Sequence, residues 1–180
     1  MDCRIRPATP DDEPLLWEML YLALFVPPGT PPLPRAAVQH PDLARYVRHW
    51  GREQDLGVVA LHPTQGEPIG AAWLRLWDGA ERGYGFLDAQ TPELSMAVVP
   101  AYRGQGVGTR LLARLLGAAD ERYEAVSLSV AADNPAVRLY RRFGFTVVVR
   151  GSTSLTMRRP RGAVSGNAGA SIYGAREGPA

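Results

Sequence analysis

Two periods of apolar residues organise the chain. Over Ala125 to Val130 they alternate, with Val126, Leu128 and Val130 set against Ser127 and Ser129, which predicts a strand. Over Val107 to Ala119 the spacing is helical, placing Val107, Leu111, Leu112, Leu115 and Leu116 on one face. A mostly apolar helix containing Leu15, Leu16, Met19, Leu20 and Leu22 to Phe25 begins near Thr9-Pro10-Asp11-Asp12-Glu13. There a Thr cap, a first-turn Pro and carboxylates complement the helix dipole. It stops before Pro27, because the prolines at 27, 28, 31, 32 and 34 exclude regular structure. A second helix is expected from Pro41 to about Trp50, with Leu43, Tyr46 and Val47 at helical spacing.

Further strands are expected over Cys3 to Pro7, Leu56 to Leu61, Pro68 to Trp77 and Leu94 to Val99, with a charged, Gly-containing connection from Gly79 to Gln90. Asn134-Pro135 opens a helix that Gly144 closes, and Phe145 to Arg150 with Ser154 to Arg158 forms a hairpin. The order β-α-α-β-β-β-α-β-α-β-β predicts a mixed α/β domain around one central sheet. Residues 1–160 form that domain, and the Gly-, Ala- and Ser-rich 161–180 are expected to be a flexible tail.

At 180 residues the chain is long enough to bury a core without staples. A net charge of +2 is too weak to argue for nucleic acid. Every basic residue other than His is Arg, so neither a Schiff-base Lys nor a phosphate-loop Lys is available. The single cysteine, Cys3, excludes an intrachain disulfide and favours the cytoplasm, and its place in a first strand reads as core. The longest apolar run, Leu15 to Val26, is too short to span a bilayer, and no signal-peptide layout precedes it. His40, His49 and His62 lack metal-ligand spacing, so no metal is expected.

The chemistry concentrates in Glu93-Leu-Ser-Met-Ala-Val-Val-Pro-Ala-Tyr-Arg-Gly-Gln-Gly-Val-Gly-Thr109, a strand, a Gly-rich turn and a helix start in succession. That order places free backbone N–H groups and a positive helix end where a phosphate can sit, with Arg103 at the lip. A P-loop needs a Lys that this chain lacks. A dinucleotide fingerprint needs Gly where Thr109 stands, and the acidic residue expected further on has only Glu124 near its spacing, before the strand.

The remaining pattern, [Q/R]-x-x-G-x-[G/A], is met by Arg103-Gly-Gln-Gly106-Val-Gly108. With the strand before it, the strand Ala125 to Val130, Asn134, Tyr140 and the ending Arg142-Phe-Gly-Phe145, it closely resembles the acyl-coenzyme-A site of the GNAT superfamily of N-acyltransferases. The resemblance is strong from about Glu93 to Met157 and extends to the Arg4-Ile-Arg-Pro-Ala-Thr start. Residues 20 to 90 fit only in element order.

This resemblance implies a GNAT-like fold: a mostly antiparallel sheet with one splayed parallel strand pair, flanked by about four helices. It implies acetyl-CoA as co-substrate, its pyrophosphate held by Arg103, Gly104, Gln105, Gly106, Val107, Gly108 and Thr109. The pantetheine arm would lie against Val98 and Val99, with the Val98 N–H facing the thioester carbonyl and Asn134 across the gap. Tyr140 takes the general-acid position; Glu93 is the candidate base, acting through a water that Ser95 would hold.

The acceptor would lie among the first helices, the Pro27 to Pro34 loop, Trp50, Trp73 or Trp77, and the Arg150 to Ser154 turn. The expected activity is acetyl transfer to a primary amine of a small molecule or peptide, by a monomer or homodimer without nucleic-acid or membrane partners. The alternatives are a catalytically silent acyl-CoA-binding sensor and O-acyl transfer on the same scaffold.

Overall fold

The alternating segments pair into one seven-stranded sheet in the order β1-β2-β3-β4-β5-β7-β6. The strands are β1 (Arg4–Pro7), β2 (Leu56–Leu61), β3 (Pro68–Arg75), β4 (Glu93–Val98), β5 (Ala125–Ala131), β6 (Thr146–Arg150) and β7 (Ser154–Pro160). The helices are α1 (Glu13–Ala23), α2 (Pro41–Ala44), α3 (Val107–Asp120) and α4 (Ala136–Arg142). The computed structural model describes residues 2–78 and 80–163. Most of the expected 161–180 tail lies outside the described residues; of its start, Arg161 still donates its N–H to the Glu124 carbonyl at 2.8 Å.

All neighbouring strands run antiparallel except β4 and β5. Those two run parallel and meet in register only at Glu93 and Ser127, with a Ser127 N–H to Pro92 carbonyl bond of 3.0 Å closing the junction. Beyond it the strands part. The expected splayed parallel pair is therefore present, at the centre of the sheet.

The two faces of the sheet carry separate apolar clusters. On one, Leu111, Leu112, Leu115 and Leu116 of α3 and Val137 of α4 pack on Val58, Ile69, Leu74, Leu94, Val126, Leu128 and Met157. On the other, Leu16, Met19 and Leu20 of α1 pack with Tyr46, Val47 and Trp50 on Val59, Leu61, Ala71, Trp73 and Ala97. The β5 residues facing that second side are Ser127 and Ser129, so the strand's polar stripe lies where α1 does not reach. Cys3 is buried in the α3-side core, as expected from its place before β1.

The helix expected from Pro41 to Trp50 ends at Ala44, and turns follow to His49, which has a left-handed φ of 58°. Buried Arg75 accounts for this. Its guanidinium donates to the carbonyls of Arg45 (2.8 Å), Arg48 (2.7 Å) and His49 (3.0 Å), groups that a longer helix would direct along its own axis. The same guanidinium holds Asp55 through Nε (3.2 Å) and Nη2 (2.8 Å), both side chains 2% exposed. A short 3-10 turn, Arg35–Gln39, also precedes α2, directly after Pro34. Tyr21 supports the Pro-rich stretch by donating to the Leu33 carbonyl at 2.8 Å, and Arg35 pairs with Glu18.

Burial would raise the Asp55 pKa, but the Arg75 hydrogen bonds and charge prevail and hold it below its ordinary 3.8. Its stabilisation is complete above that ordinary value and is lost as pH falls through the lowered folded one. Asp55→Asn should cost about 3–5 kcal/mol, because it leaves a buried guanidinium unpaired. Acid titrations of unfolding free energy should show the wild type losing stability in that acid window and the variant losing less.

Candidate active site

The parting of β4 and β5 opens a cleft of about 1040 Å³ that runs from the end of α1 to the start of α4. Ser95, Met96 and Val98 line it from β4, and Ser129, Val130 and Ala131 from β5. The phosphate-cradle turn lies at one end and Glu93 at the other.

At the turn, Gly104 and Gly106 have φ of 72° and 86°, values L-residues rarely adopt. A Cβ at either would meet nothing within 4 Å, so the space above them is open. Gly106 caps α3, whose first intrahelical bond is Arg110 N–H to the Gly106 carbonyl at 3.2 Å. The N–H groups of Val107, Gly108 and Thr109 precede that bond and point out of the helix start. Gly108 is small for a different reason: its Cβ would lie 3.2 Å from the Met96 methyl.

Arg103 is exposed, and its Nε donates to the Val98 carbonyl (3.0 Å) while Nη2 donates to the Leu22 carbonyl (3.3 Å). A strand residue turns its N–H and C=O to the same edge. The Val98 N–H therefore faces the gap with its carbonyl.

Glu93 is not the solvated carboxylate that a strand end would suggest. It is 2% exposed, and three donors hold it: Tyr46 Oη and the Gly85 N–H on Oε1, and Trp77 Nε1 on Oε2, each at 2.8 Å. Burial raises its pKa, while these three hydrogen bonds oppose the rise. Tyr46 in turn accepts the Tyr84 N–H at 2.6 Å, and burial beside Glu93 drives its phenol pKa upward. The carboxylate offers about four lone-pair positions, so these three bonds leave room for one more partner. Opposite Glu93, the Ser127 hydroxyl is fully buried and has no hydrogen-bond partner among the described residues.

Across the cleft, Asn134 Oδ1 accepts the Ala136 N–H at 2.9 Å, so the expected cap holds the start of α4. Tyr140 follows on α4, buried with its ring edge against Phe145 at a centroid distance of 5.9 Å. Its hydroxyl borders the cleft and makes no hydrogen bond among the described residues, and burial pushes the phenol up to about 12.

The structure thus gathers Val98, Arg103, Gly104, Gly106, Gly108, Thr109, Asn134, Glu93, Ser95 and Tyr140 around one cleft. Val99, Gln105 and Val107 are not among the residues that line it. Val99 spends its N–H on Ile69 (3.0 Å) and its carbonyl on Tyr102 (2.9 Å). The Val107 side chain is buried in the core, and Gln105 bonds the Ala101 carbonyl at 2.9 Å.

Trp73, Trp77 and Trp50 support the cleft from behind, all buried and none lining it. Their indole N–H groups bond the Tyr46 carbonyl, Glu93 and the Thr9 carbonyl, respectively. Sequence reading missed Tyr46 and the Gly83-Tyr84-Gly85 segment, whose one signal is a Tyr between two glycines in a charged connector. His62 accepts the Gln65 N–H and His40 the Asp42 N–H through their rings, turn roles that need no metal. No helix among the described residues is long and apolar enough to cross a membrane.

The family model described as "Acetyltransferase (GNAT) family" matches residues 17–145, more than half of the chain. The chain belongs to the GNAT acetyltransferase family. Among curated relatives, mycothiol acetyltransferase of Thermobispora bispora is 41% identical over 98 residues, covering 53% of this GNAT chain and 31% of that protein. N-alpha-acetyltransferase RimI of Mycobacterium tuberculosis is 43% identical over 77 residues, covering 38% and 48%. The matches thus span less than half the length of either relative.

Two solved structures share the fold. The ribosomal-protein-S18-alanine N-acetyltransferase from Escherichia coli gives a TM-score of 0.61 at 19% identity, covering 93% of this chain and 98% of that one. A GNAT superfamily phosphinothricin acetyltransferase from Sinorhizobium meliloti, solved in complex with AcCoA, gives 0.59 at 22%, covering 97% and 95%.

Gly106→Val forces a β-branched side chain to a φ of 86° and fills the open space over the turn. The expected result is an apo protein destabilised by about 1–3 kcal/mol that no longer gains melting temperature from acetyl-CoA. A retained acetyl-CoA shift in thermal unfolding would remove the turn from the binding site.

Proposed function

We propose that this protein transfers the acetyl group of acetyl-CoA to a primary amine, by direct attack in a ternary complex. The observation that carries the reading is the single cleft. It joins an anion-cradling turn to a buried carboxylate and a phenol through two parted strands, so the donor's phosphates and its reacting carbon have separate, fixed places.

In this reading the pyrophosphate lies over Gly104 and Gly106, and the pantetheine arm runs along the open edge of β4. Arg103 then gives up the Val98 carbonyl, and the Val98 N–H donates to the thioester oxygen as negative charge develops there. The amine nitrogen attacks the carbonyl carbon, the C–N bond forms, and the C–S bond breaks. The products are an amide and free coenzyme A, with the amine's proton transferred in effect to sulfur.

Glu93 takes the amine's proton through a water at its remaining acceptor position. Its burial suits this role, because a base with a raised pKa releases and accepts protons nearer to neutral pH. Tyr140, whose burial raises its phenol pKa and favours the protonated form, donates to the departing thiolate. The two side chains belong to opposite walls of the cleft, which keeps base and acid apart.

The reading is tested by thiol release from acetyl-CoA with a panel of primary amines, with mass analysis of the product. Release with amide formation is expected. Tight coenzyme A binding without release would favour a silent acyl-CoA sensor, and an ester product would mean O-acyl transfer. Tyr140→Phe should lower kcat by about tenfold or more with the acetyl-CoA KM little changed. Glu93→Gln should lower kcat by about a hundredfold or more. Wild-type turnover in either variant would remove that residue from proton transfer.

A further inference from the structure

Tyr84 is the most exposed of the large hydrophobic side chains among the described residues, at 63%, yet its backbone is held by hydrogen bonds on both sides. Arg45 Nη1 donates to the Arg82 carbonyl at 2.7 Å, and the Tyr84 N–H donates to Tyr46 Oη at 2.6 Å. The Gly85 N–H bonds Glu93, and the Phe86 N–H closes a turn onto the Gly83 carbonyl at 3.2 Å. Both flanking glycines are forced by packing. A Cβ on Gly83 would come within 2.0 Å of Glu93 Oε2, and one on Gly85 within 2.7 Å of the Leu128 carbonyl carbon.

The backbone is thus pressed over the carboxylate while the one side chain between the glycines stands out at the cleft. Its ring stacks on Tyr46, with centroids 6.4 Å apart and planes 16° apart, and Tyr46 meets Trp77 edge-on at 5.1 Å. Beside this aromatic column Tyr84 stays 63% exposed, so most of its ring is open to a second group. The same cleft is lined by Leu20, Leu43 and Tyr46, an apolar wall, and by the Glu93 carboxylate.

We propose that Tyr84 is a specificity-determining residue: its open face is the platform on which a flat apolar group of the acceptor stacks, which makes the preferred acceptor an aromatic primary amine. The proposal rests on the transferase reading and adds the acceptor class to it. A rigid aromatic presented to solvent loses little entropy when a second ring covers it. The apolar wall takes the ring's edge, and the amino group then lies toward Glu93 and the thioester.

The test compares 2-phenylethylamine, 2-cyclohexylethylamine and n-butylamine as acceptors for the full chain and for Tyr84→Phe and Tyr84→Ala. The wild type should prefer the flat ring to the puckered one by about three- to tenfold in kcat/KM, the range of an aromatic pair. Tyr84→Phe should keep that preference. Tyr84→Ala should abolish it, with the melting temperature and the acetyl-CoA KM unchanged. A preference that survives in Tyr84→Ala, or its absence from the wild type, overturns the proposal.

If these amines are not turned over, calorimetric titration of 2-phenylethylamine into coenzyme-A-loaded protein makes the same comparison. Failure to bind there also overturns the platform. A protein that binds no acetyl-CoA at all overturns instead the transferase reading beneath it.

Discussion

The Arg75 guanidinium is the constraint on which the acceptor side of the molecule depends. Arg75 and Glu93 are cross-strand neighbours on β3 and β4, yet they do not pair. Arg75 turns to Asp55 and to three carbonyls of the segment after α2, using all five of its donors. That segment carries Tyr46, whose carbonyl is also held by Trp73, and the Tyr46 hydroxyl reaches Glu93. A series of contacts therefore runs from a buried ion pair at the end of β3 to the carboxylate in the cleft. Without Arg75, the carbonyls of Arg45, Arg48 and His49 would lose the donor that gathers them, and Tyr46 would be placed by Trp73 and Glu93 without it.

The opposite wall is built on other terms. There the geometry comes from strand divergence, two left-handed glycines and the start of a long amphipathic helix, all local to residues 93–131. Arg159 ties this half together, bonding the Phe143 carbonyl at 2.9 Å and Asp120 at 2.6 Å, so β7 is fastened to the ends of α3 and α4. The donor side is thus a local motif, and the acceptor side an assembly of distant segments.

That division explains what the sequence could disclose. Arg103 to Gly108 announced its turn because positive φ and a helix start have residue signatures that need no knowledge of the rest of the chain. Val126, Leu128 and Val130 announced a strand for the same reason. Asn134 and Tyr140 were singled out through spacing within one family pattern, and both line the cleft. By contrast, the truncation of α2 depends on a guanidinium about thirty residues away, beyond the reach of helical periodicity. The tryptophans read as pocket residues because exposure cannot be inferred from residue type, whereas their indoles in fact brace the wall from inside. Glu93 was legible as the first residue of the splayed strand, but its burial depends on Tyr46, Trp77 and Gly85, which three separate segments contribute.

Arginine carries out the tethering throughout: Arg75 and Arg159 inside, and Arg45, Arg103, Arg110 and Arg122 on outer carbonyls. A guanidinium remains protonated at any working pH and so offers no free nitrogen lone pair to an activated acyl group. With no Lys in the sequence, no side-chain amine of the chain competes for a thioester held in the cleft. The cations that hold the scaffold together are therefore inert toward the chemistry proposed for it, and a loaded acyl donor can wait for its partner without acylating a side-chain amine of its own host.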